Sequence, residues 1–206
     1  RTLSRLMLVS MRNNARRLGM RFPKRLFSIP HNEEKSGNEV VIRTFNEDGG
    51  DWETVWPEII KPIVRAGETY TYDRNSREDC MKKEWTCKPH RTYVAEVNGK
   101  ILGTYYVKKN YTGGASHICN CGYMSSPRAQ GRGVATAMCS HSLSESLKLG
   151  YKAMQFNFVL ESNRGALRLW EKMGFRTIGE IPKAFDHPKL GLVNAVIMYK
   201  WLLSER

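Results

Sequence analysis

Two glycines one residue apart, Gly131 and Gly133, mark the stretch QGRGVATA from Gln130 to Ala137. Glycine permits the tight turns that bring a backbone close to a ligand. The residues that follow, Val134, Ala135, Met138, Cys139, Leu143 and Leu147, recur at helical spacing as far as Gly150. A helix opening just after such a turn points its first N–H groups at whatever sits there, and an anion such as phosphate is the natural occupant. The segment has neither the Lys-Ser/Thr ending of a nucleoside-triphosphate loop nor the triple-glycine spacing of a dinucleotide fold, so on these residues alone a plain turn competes with a phosphate cradle.

A second block, NFVLESNRGALRLWEKMGF, runs as a strand through Leu160, then meets Asn163 as a helix cap and the apolar stripe Ala166, Leu169, Trp170 and Met173. Each block is led by a strand-like run with polar residues set among apolar ones. SHICNCGYMS carries His117, Cys119, Asn120 and Cys121, and MQFNFVLE carries Asn157. SHICNCGYMS offers no carboxylate, so His117 is the candidate base on that run. A structural role for that imidazole competes with a basic one.

The order and spacing of the two blocks resemble the Gcn5-related N-acetyltransferase (GNAT) superfamily. Its pattern Gln/Arg-x-x-Gly-x-Gly/Ala matches Gln130, Gly133 and Ala135, and its later Asn-x-x-Ala…Tyr-x-x-x-Gly-Phe falls on Asn163, Ala166, Gly174 and Phe175. A further likeness runs from ILGTYYVKKNY through SHICNCGY to FNFVLESN and FRTIGEIPKAF. It resembles the fungal acetyltransferases that act on azetidine-2-carboxylate and related proline analogues, and covers roughly the second half of the chain.

The resemblance implies acetyl-CoA as co-substrate and no metal. It gives the pyrophosphate to the loop Gln130, Gly131, Arg132, Gly133, Val134, Ala135 and Thr136, and the pantetheine arm to the backbone of Tyr123, Met124 and Ser125. Asn120 and Asn157, with the N–H of Phe158, are implied to hold the carboxylate of an amino or imino acid acceptor. Asn163 is implied to reach the cofactor near its sulfur. A neutral amide suits the carboxylate where a Glu would repel it, while the competing reading has Asn120 and Asn157 bonding each other across the sheet. Trp170 stands where many members carry the Tyr that protonates the departing thiolate, and an indole N–H donates a hydrogen bond without releasing a proton. That departure leaves the proton source unnamed. Tyr70 and Tyr72 fall where the family builds its acceptor pocket, with Tyr106 and Tyr111 as further aromatic candidates, and core packing competes for all four.

Composition narrows the partners. The formal charge of +13 over 206 residues suggests nucleic acid, yet residues 1–30 hold eight Lys/Arg and no acid, leaving 25 basic against 20 acidic residues. The rest of the chain is therefore mildly basic, and solvated charged faces explain it better than a nucleic-acid surface. No apolar run approaches membrane-spanning length. The expected partner is a small-molecule amine or imino acid, without nucleic acid or membrane, and with a homodimer left open. Peptide acetylation and non-catalytic acyl-CoA binding are the competing functions.

The arm 1–37 is Arg-rich, with scattered Ser, Leu and Met, and has the composition of a mitochondrial transit peptide; Arg25-Leu26-Phe27-Ser28 resembles a matrix-peptidase site. It predicts a matrix location, with cytoplasm as the alternative, ahead of a catalytic domain over 38–206. The five cysteines are odd in number and lack a repeated CxxC pair, so they read as free thiols; a zinc site from His90, His117, Cys119 and Cys121 matches no common module.

The positioning elements follow from periodicity. EVVIRTFN, RTYVAEV, ILGTYYV, SHICNCGYMS, MQFNFVLE, FRTIGEI and VNAVIMYKWL read as strands, with Asn98-Gly99 as a tight hairpin turn. Trp52, Val55, Ile59, Ile60, Ile63 and Val64 form a helical stripe that Pro57 and Pro62 bend or divide, and a second helix spans roughly Arg77 to Lys88. This predicts an α/β (α+β) domain with a mixed central sheet of about six to seven strands and helices on both faces. The family resemblance adds a splay between two central parallel strands, where the chemistry should cluster.

Overall fold

The computed structural model describes residues 39–203; the expectations for the basic arm lie outside them. In chain order the elements are β1 (Val40–Thr44), α1 (Asp51–Val55), a π-helical turn (Trp56–Ile60), α2 (Lys61–Ala66), α3 (Glu78–Thr86), β2 (Arg91–Val97), β3 (Lys100–Lys109), β4 (Ile118–Ser125), α4 (Val134–Lys148), β5 (Ala153–Leu160), α5 (Arg164–Lys172), β6 (Arg176–His187) and β7 (Gly191–Trp201). The seven strands form one sheet in the order β1-β2-β3-β4-β5-β7-β6, antiparallel except for β4 and β5.

Period-two alternation sends side chains to two cores. Tyr105 of β3 joins Leu102, Cys119, Met138, Cys139 and Phe156 beneath α4, whereas its neighbour Tyr106 joins Trp52, Ile59, Ile60, Trp85 and Met124 beneath the helical segments of residues 51–86. Gly103 lets α4 approach closely, since a Cβ there would sit 2.8 Å from Val134 Cγ1 and from Met138 Sδ. The two prolines divide the first helix as predicted. Neither ring can donate to the helical ladder, and the Lys61 N–H reaches back five residues to Trp56 O, the wider turn that accommodates them. The hairpin between β2 and β3 turns on Asn98 and Gly99, both at positive φ (53° and 72°), as a tight primed turn requires.

The splay is measurable in the ladder. β4 and β5 pair only at Ile118↔Ala153 and Cys119↔Met154, then part. On its other side β4 keeps register with β3 from Cys119 to Ser125. Asn110 N donates to Ile118 O and Ser126 N to Leu102 O, so alternation leaves the backbone groups of Cys121, Tyr123 and Ser125 turned toward the gap. Two boundaries differ from expectation. β6 runs on to His187 because the irregularity between Ile181 and Phe185, with Lys183 at φ 50°, interrupts the period-two signal without ending the strand. α3 is shorter than predicted, since Cys87 is already extended.

Candidate active site

The opening between the splayed strands holds a cleft of about 310 Å³. Beyond it, at the end of β4, a second concavity of about 490 Å³ is lined by Ser125, Gln130, Gly131, Gly133 and the first residues of α4. Gly131 and Gly133 have φ of 73° and 74°, and a Cβ on either would meet open space. Gly133 caps α4 with no side-chain acceptor, and the first turn of this 15-residue helix contains no acid. The N–H groups of Val134, Ala135 and Thr136 therefore face the concavity with no anion of the chain's own, which fits a phosphate. Val134 is itself buried and anchors the turn, while Arg132 is exposed.

Tyr70 closes the gap beside β4. Its hydroxyl donates to Tyr123 O at 2.7 Å and accepts from Tyr123 N at 2.9 Å, so one phenol satisfies both backbone groups that the resemblance gives to the pantetheine arm. A ligand at Tyr123 gains them only when that hydroxyl yields. Burial holds the Tyr70 phenol far above its usual range and thus protonated. The Tyr123 side chain turns the other way, toward Ser142 Oγ at 2.6 Å.

Asn163 caps α5, its Oδ1 accepting from Ala166 N at 3.2 Å, and it also lines the cleft. With Oδ1 engaged, Nδ2 is the end of this amide left for a ligand. Trp170 is nearly buried, with ring centroids 4.9 Å from Tyr123 and from Phe156. It forms an aromatic wall of the cleft whose indole N–H releases no proton.

At the other end, Asn120 and Asn157 line the cleft with Phe158. They do not bond each other as the competing reading had it; both donate to Asn110 Oδ1, at 3.5 Å and 2.7 Å, and Asn110 Nδ2 returns a bond to Asn157 Oδ1 at 3.1 Å. Asn157 and Phe158 occupy a bulge. β5 advances three residues from Phe156 to Val159 while β7 advances two from Met198 to Val196, which re-aims both residues into the opening. Tyr72 and Tyr106 complete the walls with Tyr70. Tyr111 does not line it and accepts instead from Gln155 Nε2 at 2.7 Å.

His117 lies at the closed end of the β4–β5 pair, against Trp201, with its carbonyl accepting from Lys152 N at 2.8 Å. It is not among the residues of the cleft, because the splay opens only beyond Cys119. His90 stacks on Tyr106 and Cys119 packs toward Ser146, so the four residues weighed for zinc do not gather; among the described residues no His, Cys, Asp or Glu group forms a metal-binding cluster. All five thiols are free. Burial pushes the Cys121 thiol well up, which suits a wall residue and not a thiolate nucleophile.

Three polar residues were not foreseen. Asn110 bridges the two amides, and Lys108 and Glu84 bring charge to the cleft. The register could have found Lys108, which lies directly opposite Asn120.

Residues 55–175 match the family model described as Acetyltransferase (GNAT) family. The chain is 33% identical to N-acetyltransferase aca1 of Schizosaccharomyces pombe over 137 residues, which is 59% of this chain and 66% of that protein. It is 28% identical to Protein SPT10 of Saccharomyces cerevisiae over 94 residues, 43% of this chain but 15% of that longer protein. Among solved structures, a GCN5-related N-acetyltransferase from Kribbella flavida superposes with a TM-score of 0.74 at 34% identity, covering 79% of this chain and 97% of that one. A phosphinothricin acetyltransferase from Sinorhizobium meliloti, solved with AcCoA, shares the fold at 18% identity and a TM-score of 0.68, over 79% and 88% of the two chains. A splayed parallel pair, an acid-free helix N-terminus behind two left-handed glycines, and a family match over more than half the chain agree: this protein belongs to the GNAT acetyltransferase family.

Proposed function

We propose that this protein transfers the acetyl group of acetyl-CoA to the amine of a small amino or imino acid, of the proline-analogue type. The observation that carries the reading is the cleft itself. At about 310 Å³ it sits at the small end of ligand pockets, and amides furnish much of its polar lining. In this reading α4 and its loop hold the pyrophosphate, with Gln130 and Arg132 at the rim, and β4 from Tyr123 to Ser125 receives the pantetheine arm. Bound acetyl-CoA supplies an activated acyl carbonyl; the chain's part is to orient an amine beside it and keep water out. Asn120, Asn157 and the Phe158 N–H fix the acceptor's carboxylate, for which Asn110 must release Asn120 and Asn157. Asn163 offers Nδ2 to the developing negative charge at the sulfur. Trp170 shields that point.

CoA release by the full chain with azetidine-2-carboxylate, cis-4-hydroxyproline, common amino acids, polyamines and a Lys-containing peptide tests this. Turnover confined to free amino or imino acids is the expected result, and turnover of the peptide or polyamines alone overturns it. The arm 1–37 carries the matrix reading as part of the same proposal. Loss of mitochondrial import on deleting it is expected, and import without it sinks that part.

A further inference from the structure

The acceptor end of the cleft contains one charge of each sign. Of the residues lining it, Lys108 and Glu84 alone are charged. Lys108 lies opposite Asn120 on the β3–β4 ladder, so the two project from the same face, and its ammonium sits 5.0 Å over the Tyr106 ring. Glu84 arrives from α3. Lys108 Nζ and Glu84 Oε1 are 3.8 Å apart, an ion pair too long for a hydrogen bond and therefore open to insertion of a ligand between its members. Tyr72, Tyr106 and His90 are the other titratable groups around it, and burial followed by the nearby Lys108 charge lowers the His90 pKa, favouring a neutral ring.

A pocket with one cation and one anion complements a molecule that also carries one of each. A polyamine would bring several cations to a single carboxylate, and an internal peptide segment would bring no carboxylate for the lysine. We propose that Lys108 and Glu84 read the two charges of a zwitterionic acceptor: Lys108 binds its carboxylate beside Asn120, and Glu84 takes a proton from its ammonium to free the attacking amine.

The balance is simple. One N–H bond breaks, its electrons become the lone pair on nitrogen, and the proton resides on a Glu84 oxygen, whose half-exposed side chain passes it to water. The nitrogen bonds the acetyl carbon, the carbon–sulfur bond breaks with its electrons going to sulfur, and a second ammonium proton neutralises that sulfur. Glu84 is thus the base that the central strands lack.

The assignment rests on the amino-acid reading of the cleft, and the test separates the two. With azetidine-2-carboxylate and its methyl ester as probes, Lys108→Met should raise KM for the free acid about 10- to 100-fold and leave the ester's KM within about twofold. Glu84→Gln should lower kcat about 100-fold or more with little change in KM, and formate should restore part of the activity of Glu84→Ala. Calorimetric CoA affinity and melting temperature should stay near wild type in all three. Equal damage to acid and ester in Lys108→Met, or retained kcat in Glu84→Gln, overturns the assignment while the amino-acid reading stands. Wild-type protein that acetylates no free amino or imino acid overturns both.

Discussion

The two ends of the site are built differently. In the proposed reading the phosphate end is one short stretch, Gln130 to Thr136, whose backbone does the binding. In the same reading the acceptor end gathers Tyr70, Glu84, Lys108, Asn120 and Asn157 from segments up to 87 residues apart, and its side chains do the binding. A backbone site survives drift in most of its side chains as long as the turn forms. A side-chain site can be retuned one residue at a time without disturbing the fold, which is where acceptor choice can change.

Gly133→Val should produce the largest effect, cutting CoA affinity by about 100-fold or more, because a branched residue disfavours φ near 74° and fills the space the ligand needs. Calorimetry with CoA checks this, and unchanged affinity would erase the contrast between the two ends. Next comes Asn120→Ala, expected to lower kcat/KM for the acceptor about 10- to 100-fold with CoA affinity intact. Equal loss of both would mean the ends are not separable. Tyr70→Phe removes the partner of two backbone groups and should destabilise the ligand-free protein by about 1–3 kcal/mol. Saturating CoA should shrink that difference in a thermal melt if the ligand takes over those groups; a constant difference would place Tyr70 in the scaffold alone.

The smallest effect lies away from both ends. Asp51 is buried, which by itself would raise its pKa, but its bonds to Arg43 and to the Asn46 N–H outweigh that and hold it below the usual carboxylate range. A depressed carboxylate stabilises above its unfolded pKa and loses that contribution as pH falls through the lower, folded value. Acid melts should therefore show Asp51→Asn losing its disadvantage relative to wild type below about pH 4. Arg43 is partly exposed, so solvent limits the gain.

This division also explains what could be read in the sequence. Six strands and the helices α4 and α5 follow their apolar periods closely, and the loop is legible because its two positive-φ glycines stand close together in sequence. The amides Asn120 and Asn157 came from family likeness, since nothing local marks an amide in a strand as a ligand. Asn110, Lys108 and Glu84 stay hidden because each is an ordinary polar residue until the fold places it: register sets Lys108 opposite Asn120, α3 brings Glu84 to the cleft, and Asn110 reaches the two amides from just past β3. His117 is the converse case: an imidazole suits a base, but its place just before β4 falls at the end where the strands are still paired. β6 was truncated because a proline and a bulge mimic a strand end.

The hydroxyl of Tyr70 has a bearing on the protein's behaviour in a crowded solution. A sheet that opens in its middle exposes an inner edge, and unpaired edges recruit strands from other chains. By closing the donor and acceptor of Tyr123 with a single oxygen, the chain leaves an incoming strand no consecutive run of free groups to zip along. In the proposed reading, the contact that the pantetheine arm displaces is the same one that denies a foreign strand its pairing at Tyr123.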